Sequence, residues 1–420
     1  MELRFLMNKD SKTAKAVYLS MLLLCFLLCG WEILQTINLL NMKTEEETNH
    51  PQWVKMLHQL NGRLHQEPVA MIANGFFWHL LLLLSAPILA FCVLFLTAYQ
   101  VIYFYALKKN ITPKGYPDKE LAVVVTGCDS GFGKELVFSL VSKGFVVFPA
   151  CLVKDSFEEF QGDSNIIPIQ VDVTKEKDVE DAAKVVLKWL EGGDTSKKRY
   201  LHALVNNAGI GIAGLSGWMT VSDFQKVMDV NFFGMLRCIQ AFLPILKRQS
   251  ADGTWTQSRI VNMVSTAGFI AGGMVSAAYE SSKHAIDAYT TNLRLELEPF
   301  KIHVTAINPG MHRTPLADGR AIANGMKDVW DRMTQEKRDE YGEPYFHSVA
   351  DIFERSTGKF SWDKKYVVEA MDEAVVAQSP PSRMLVGMDA KFFLYPASKL
   401  PTYLRANFIR QKPAMMMNSH

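Results

Sequence analysis

Five apolar residues in a row, Leu121 to Val125, run straight into a turn holding Gly127, Gly131 and Gly133. No other stretch of this 420-residue chain limits its fold as tightly. A valine-rich run without polar alternation is the pattern of a strand buried on both faces, as in a parallel sheet covered by helices. The segment that follows, KELVFSLVSKG, is apolar at helical spacing and is stopped by Gly144. Strand, glycine-rich turn and helix together make an entrance for a dinucleotide. The glycines let the backbone approach a pyrophosphate, and the helix N-terminus offers unpaired N–H groups and a positive dipole end. The spacing is T-G-x-x-x-G-x-G rather than G-x-G-x-x-G. Further strands follow in order, so the expected fold class is α/β, a doubly wound parallel sheet.

A second pattern carries chemistry. Y-x-x-x-K occurs at Tyr105/Lys109, Tyr279/Lys283 and Tyr395/Lys399. The first closes an apolar stretch and the third is interrupted by Pro396; the middle one has Ser265 fourteen residues upstream in VNMVSTAG. A tyrosine with an unperturbed pKa of about 10 is a poor base near neutrality. A lysine four residues on lies one helical turn away on the same face, and its charge favours the phenolate. Tyr279 can then exchange a proton with an alcohol oxygen that Ser265 holds, while Asn231 anchors a water linking Lys283 to solvent. The bland alternative makes Tyr279 a half-buried aromatic and Lys283 a surface charge.

With these motifs in order, residues from about Leu121 to Leu316 resemble the short-chain dehydrogenase/reductase family, which implies a Rossmann-type sheet and NAD(P)-dependent hydride transfer. TGCDSGFG matches the family's cofactor turn, Asp172 in VDVT the segment that touches adenine, and Asn206 to Gly209 the NNAG motif. The resemblance thus places Ser130 and Phe132, beside Gly127, Gly131 and Gly133, and Asn207, Ala208 and Gly209 at the cofactor, and makes Asn231, Ser265, Tyr279 and Lys283 the catalytic tetrad. Tyr279 and Lys283 also count as cofactor-binding. Pro309, Gly310 and Thr314 match the PGxxxT segment near the nicotinamide carboxamide. GCDSGFG, FLPILK, PGMHRTP and EYGEPYF resemble a narrower branch of retinol dehydrogenases, the type 2 17β-hydroxysteroid dehydrogenase and D-3-hydroxybutyrate dehydrogenase.

Such a domain needs fewer residues than the chain has, and the surplus is apolar. Residues 16–31 carry no charge and follow Arg4, Lys9, Lys12 and Lys15. The apolar character extends past Glu32, giving a span at about 16–38, against a secretory signal peptide as the competing reading. From Pro68 to Leu107 there is no Asp, Glu, Lys or Arg. A stretch at about 72–107 exceeds the roughly 20 residues that one crossing needs, and with Pro87 inside it reads as one tilted span or a hairpin. Basic residues flank both ends (Lys108, Lys109, Lys114 and Lys119 follow the second) and Glu45, Glu46, Glu47 and Glu67 lie between. The positive-inside rule then puts both ends in the cytosol. The expectation is a multi-pass endoplasmic reticulum protein with residues 1–119 as membrane anchor and 120–390 as a cytosolic catalytic domain.

Within that domain, roughly 311–360 forms a lid over the substrate pocket, with Met326, Trp330, Met333, Tyr341, Tyr345 and Phe346 suited to an apolar ligand, or else making the lid's own core. Residues 391–420 combine aromatics with Lys391, Lys399, Arg405, Arg410 and Lys412, as an interfacial tail would. The second strand, FVVFPACL, puts Cys151 where an acidic ribose ligand is expected, followed by Lys154 and Asp155. NAD is the expected cofactor, with NADP as the alternative. The six cysteines form neither a disulfide framework nor a metal-ligand spacing, and a net charge of +2 implies no nucleic-acid partner. The expected partners are a lipophilic small molecule and a membrane, with a homodimer as the assembly. The function expected is oxidoreduction of a steroid or retinoid alcohol. Two alternatives stay open: a 3-hydroxybutyrate-type enzyme using His312, Arg313 and Arg320 as a carboxylate clamp, and a catalytically silent scaffold.

Overall fold

The computed structural model describes residues 111–192, 197–272, 276–314, 318–359, 362–407 and 409. Both expected membrane spans, and the end of the expected tail, lie outside the described residues.

The valine-rich run forms β1 (Lys119–Thr126), buried from Leu121 onward. Its alternate side chains enter opposite cores, because successive residues of a strand point to opposite faces. Leu121, Val123 and Val125 pack on one side, Ala122 and Val124 on the other. Around β1 assemble β2 (Val146–Cys151), β3 (Ile169–Gln170), β4 (Lys198–Asn206), β5 (Arg259–Met263), β6 (His303–Pro309) and β7 (Arg383–Val386). All pairs are parallel, in the order β3-β2-β1-β4-β5-β6-β7. This is a Rossmann-type sheet. Its strand order reverses between β1 and β4, and ligands of open α/β sheets bind at the carboxyl ends beside such a reversal.

Helices cover both faces, as parallel strands require. On one side lie α1 (Gly131–Ser142), through Leu136, Val137 and Leu140, and a later helix at Lys365–Val376, through Val367, Met371 and Ala374. On the other lie α2 (Glu176–Glu191), α3 (Val221–Met228), α4 (Gly234–Ala251) and α5 (Ala277–Leu297). Of these, α2, α4 and α5 bury Val186, Phe242 and Leu293 in the second core. The α3–α4 segment, Val221–Ala251, is the one helix among the described residues long and apolar enough to cross a bilayer, yet it supplies core residues to this fold. The expected lid is helical: α6 (Gly319–Asp331), α7 (Gln335–Tyr341) and α8 (Glu343–Lys359), with α9 (Lys365–Val376) returning to the sheet.

Arg259 is fully buried at the start of β5, with no carboxylate partner among the described residues. Its guanidinium donates to Val375 O and Ala377 O, the last carbonyls of α9, and to Gln257 O. A helix C-terminus carries the negative dipole end and orphan carbonyls, so the buried cation is satisfied by the backbone. Burial still pushes it down to about 9.

Candidate active site

The glycine turn shows why its residues are small. At Gly127, with φ of +69°, an added Cβ would stand 2.7 Å from Ala208 Cα; at Gly133 it would stand 2.5 Å from Gly127 O and 2.6 Å from Asn207 Nδ2. β1, the turn, α1 and the NNAG loop therefore interlock. Thr126 Oγ1 accepts from the N–H groups of Asn207 and Ala208, each at 3.1 Å. Asn207 Nδ2 donates back to Thr126 O at 3.0 Å and Gly127 O at 2.9 Å. Gly131, with φ of +65°, is different, because nothing lies within 4 Å of where a Cβ would stand. Ser130, the cap of α1, makes no side-chain cap bond, so the first N–H groups of α1 receive no acceptor from it. A helix N-terminus beside an open glycine cradle fits a pyrophosphate.

Asn231, Ser265, Tyr279 and Lys283 come together at the carboxyl ends of β4 and β5. Ser265 follows β5, and Tyr279 and Lys283 share one face of α5. The Ser265 hydroxyl lies near enough to the Tyr279 phenol to lower its pKa, and it accepts from Ala267 N at 3.1 Å. Lys283, 3% exposed, has Nζ 5.5 Å from the centre of the Tyr279 ring and donates to Met263 O at 2.9 Å. Nζ also stands 3.7 Å from where a Cβ on Gly209 would be, which brings the NNAG motif to the lysine. Asn231 sits in a π-helical turn, Asp229–Phe233, that interrupts the α3–α4 helix, a deviation frequent at functional sites. Its amide is fully engaged: Oδ1 accepts from Ile210 N at 2.8 Å, and Nδ2 donates to Ile210 O and Ser282 Oγ, each at 3.0 Å.

Burial dominates the electrostatics. It pushes the Tyr279 phenol up to about 12, only partly opposed by Ser265, and pushes the Lys283 ammonium down to about 7. The direction for Tyr279 is opposite to that expected from the lysine charge alone, because desolvation is the dominant cause and only the Ser265 hydroxyl opposes it.

Asn308, Arg383 and Asp389 shape the site without a sequence signature. Ser265 adopts φ of 144°, a region L residues rarely occupy, at a cost of about 1–3 kcal/mol. Asn308 Nδ2 holds its carbonyl at 2.8 Å, and Arg383 holds Asn308 Oδ1 at 3.0 Å while pairing with Asp287. Near the PGxxxT loop, Asp389 accepts from Met311 N at 2.9 Å and Trp362 Nε1 at 3.0 Å. A Cβ on Gly310 would stand 2.1 Å from its carboxylate, so that glycine makes room for Asp389. Pro309 ends β6, and half-buried Thr314 closes the described part of the loop. For Asp172, burial disfavours the charge, but bonds from the Thr174 hydroxyl and N–H and from Lys175 outweigh it and hold the carboxyl below its usual range.

The substrate side holds two corrections to the sequence reading. Met326, Trp330, Met333 and Phe346 are buried against Trp218 and Met219 in a separate apolar core. The lid spends most of these side chains on itself rather than on a ligand. His312, Arg313 and Arg320 do not form a clamp. His312 is 3% exposed with Nδ1 3.1 Å from Gly310 O, Arg313 is exposed, and Arg320 lies on α6 paired with Glu354. A cleft of about 580 Å³ runs between the loop after β4 and α6, lined by Ile212, Ala213, Asp223, Ile322, Val329 and Arg332. None of Asn231, Ser265, Tyr279 and Lys283 lines it.

A Rossmann-type sheet with this cradle and this group of a serine, a half-buried tyrosine and a buried lysine defines a nicotinamide-dependent dehydrogenase. The chain belongs to the short-chain dehydrogenase/reductase family, whose short chain dehydrogenase description matches residues 121–323. It is 35% identical to the human short-chain dehydrogenase/reductase family 9C member 7, over 67% of this chain and 87% of that one. It is 33% identical to retinol dehydrogenase 7 of Rattus norvegicus, over 67% and 85%. Retinol dehydrogenase 16 of the same species is 33% identical over the same shares. A short chain dehydrogenase/reductase from Burkholderia phymatum, solved in complex with NAD, shares the fold with a TM-score of 0.51 at 20% identity, over 71% of this chain and 95% of that one.

Proposed function

We propose that this protein is a membrane-bound oxidoreductase that interconverts a lipophilic primary or secondary alcohol, a retinoid or steroid, and its carbonyl, with NAD as the dinucleotide. The observation that carries the chemistry is the convergence of Ser265, Tyr279 and buried Lys283, whose Nζ stands 5.5 Å from the Tyr279 ring centre, with the Gly131 cradle at the same sheet edge. In oxidation, Ser265 holds the substrate oxygen and Tyr279 removes its proton; in reduction, Tyr279 returns it. The nicotinamide supplies the hydride acceptor or donor. Desolvation of Tyr279 and Lys283 disfavours charge on either alone, so phenolate and ammonium are favoured together, beside a bound positive ring. Asn207 and Gly127 fix the cofactor turn, while Asp389 and Gly310 fix the loop expected at the carboxamide.

The lipophilic substrate is favoured over a hydroxy acid because a carboxylate needs a convergent cation. Arg320 is instead turned to Glu354. The test is the purified full chain in detergent with NAD, comparing retinol, estradiol, testosterone and 3-hydroxybutyrate by absorbance of the reduced nicotinamide. A retinoid or steroid is expected to exceed the hydroxy acid in kcat/KM by more than about tenfold. Preference for 3-hydroxybutyrate, with loss of activity in Arg313→Ala or Arg320→Ala, would overturn the substrate class. No turnover of any of the four would favour the silent scaffold.

Membrane attachment fits the charge-free stretch Pro68–Leu107 and the aromatic end of the domain. There Phe393 is 58% and Tyr403 74% exposed, with Phe392 and Leu404 beside them and Lys399 and Arg405 for anionic headgroups. In sealed microsomes, added protease is expected to digest the catalytic domain without detergent. Protection until detergent is added would put the active site in the lumen and refute the cytosolic orientation.

A further inference from the structure

Cys151, at the end of β2 where the sequence pattern puts an acidic ribose ligand, is fully buried and offers no carboxylate to a cofactor. A carboxylate nonetheless stands at that strand end, and it comes from the glycine turn. Asp129 Oδ2 accepts from Leu152 N at 3.0 Å; Oδ1 accepts from Val153 N at 2.9 Å and Ser156 Oγ at 3.0 Å. The turn is tied to the same strand by Gly127 N and Cys128 N, which donate to Ala150 O at 2.9 and 3.3 Å. Three donors hold the carboxylate, and a carboxylate has about four acceptor positions, so one stays available to a ligand. Leu152 and Val153 beside it are 56% and 49% exposed, two apolar side chains with nothing covering them at the carboxyl edge of β2. An apolar shelf flanking a fixed carboxylate at this strand end suits an adenosine.

We propose that Asp129 is the residue that selects the dinucleotide: its free acceptor position takes the 2′-hydroxyl of the adenosine ribose, and its charge repels a 2′-phosphate. This rests on the reading of NAD as cofactor given above. Lys154 and Asp155, which pulled the sequence reading both ways, open a 3₁₀ turn, Lys154–Phe160, and both are exposed. Asp129, by contrast, is held by three bonds. A held charge keeps its distance from the ligand, whereas an exposed lysine spreads its charge over many rotamers.

The test is equilibrium binding of NADH and NADPH to the purified full chain, read by nicotinamide fluorescence. Wild type is expected to bind NADH at least about tenfold more tightly. Asp129→Asn removes the charge at nearly constant volume, and Asp129→Ser also relieves any clash with the two N–H donors. In either variant that keeps the wild-type circular dichroism and melting temperature, the NADPH/NADH ratio of dissociation constants is expected to fall by about a hundredfold. An unchanged ratio in a folded variant would overturn the role of Asp129 and leave the NAD reading standing. Tighter NADPH binding by the wild type would refute the NAD reading itself. Should both variants fail to fold, wild type still decides. Salt screens repulsion, so NADPH affinity should rise relative to NADH as ionic strength increases, and a relative fall would contradict the proposal.

Discussion

Replacing Tyr279 with Phe is expected to lower turnover by about 10²–10⁴-fold while the fold and the dinucleotide affinity survive. The substitution removes one oxygen from a half-buried ring that already touches Ser265 and leaves the Lys283 bond to Met263 O in place. What is lost is the hydroxyl beside Ser265 whose proton passes to the substrate oxygen, so the loss falls on kcat and not on cofactor binding. Steady-state kinetics of the purified protein, with NADH binding measured in parallel, checks both halves. Retention of more than about a tenth of wild-type activity would remove Tyr279 from the mechanism.

Gly133→Ala should act on the cofactor instead. The new methyl would meet Gly127 O at 2.5 Å and Asn207 Nδ2 at 2.6 Å, and neither can withdraw. Gly127 is at φ of +69° with its N–H on Ala150 O, and Asn207 is fixed to Thr126 and Gly127. The start of α1 has to move, taking with it the N–H groups beside the open space at Gly131. Dinucleotide affinity is expected to fall by about a hundredfold or more, at a stability cost of about 1–3 kcal/mol. Calorimetric titration gives the first number and a thermal melt the second. Gly325→Ala, in α6 with nothing within 4 Å of the added atom, is the control expected to bind normally. Near-normal affinity in Gly133→Ala would mean that the turn does not approach the cofactor.

What could be read in the sequence follows from how local each signal is. β1, the glycine turn and α1 are contiguous, and each advertises itself by an apolar run, a glycine spacing or a helical period. Tyr279 and Lys283 are one turn apart on one helix, so their spacing carried their geometry. The role of Asp129 was hidden because its three donors lie 23 to 27 residues further along the chain. Asp389 lies 78 residues from the Met311 N–H it accepts, and nothing in DAKFFL marks that contact. The lid aromatics misled for a related reason: composition shows that Trp330 and Phe346 are apolar, but not that they stack on each other at 4.9 Å against Trp218. The pKa expectation for Tyr279 counted the charge of Lys283, which the sequence displays, and not the burial, which only the fold creates.

The most direct test of hydride transfer through this tetrad is an isotope experiment. A retinol or estradiol deuterated at the carbinol carbon is incubated with the purified protein and NAD, and the recovered dinucleotide is weighed by mass spectrometry. Transfer of the carbinol hydrogen as a hydride predicts reduced dinucleotide heavier by one deuterium in the wild type, with almost none formed by Tyr279→Phe. Reduced dinucleotide without the label, or equal labelling in the two proteins, would contradict the account.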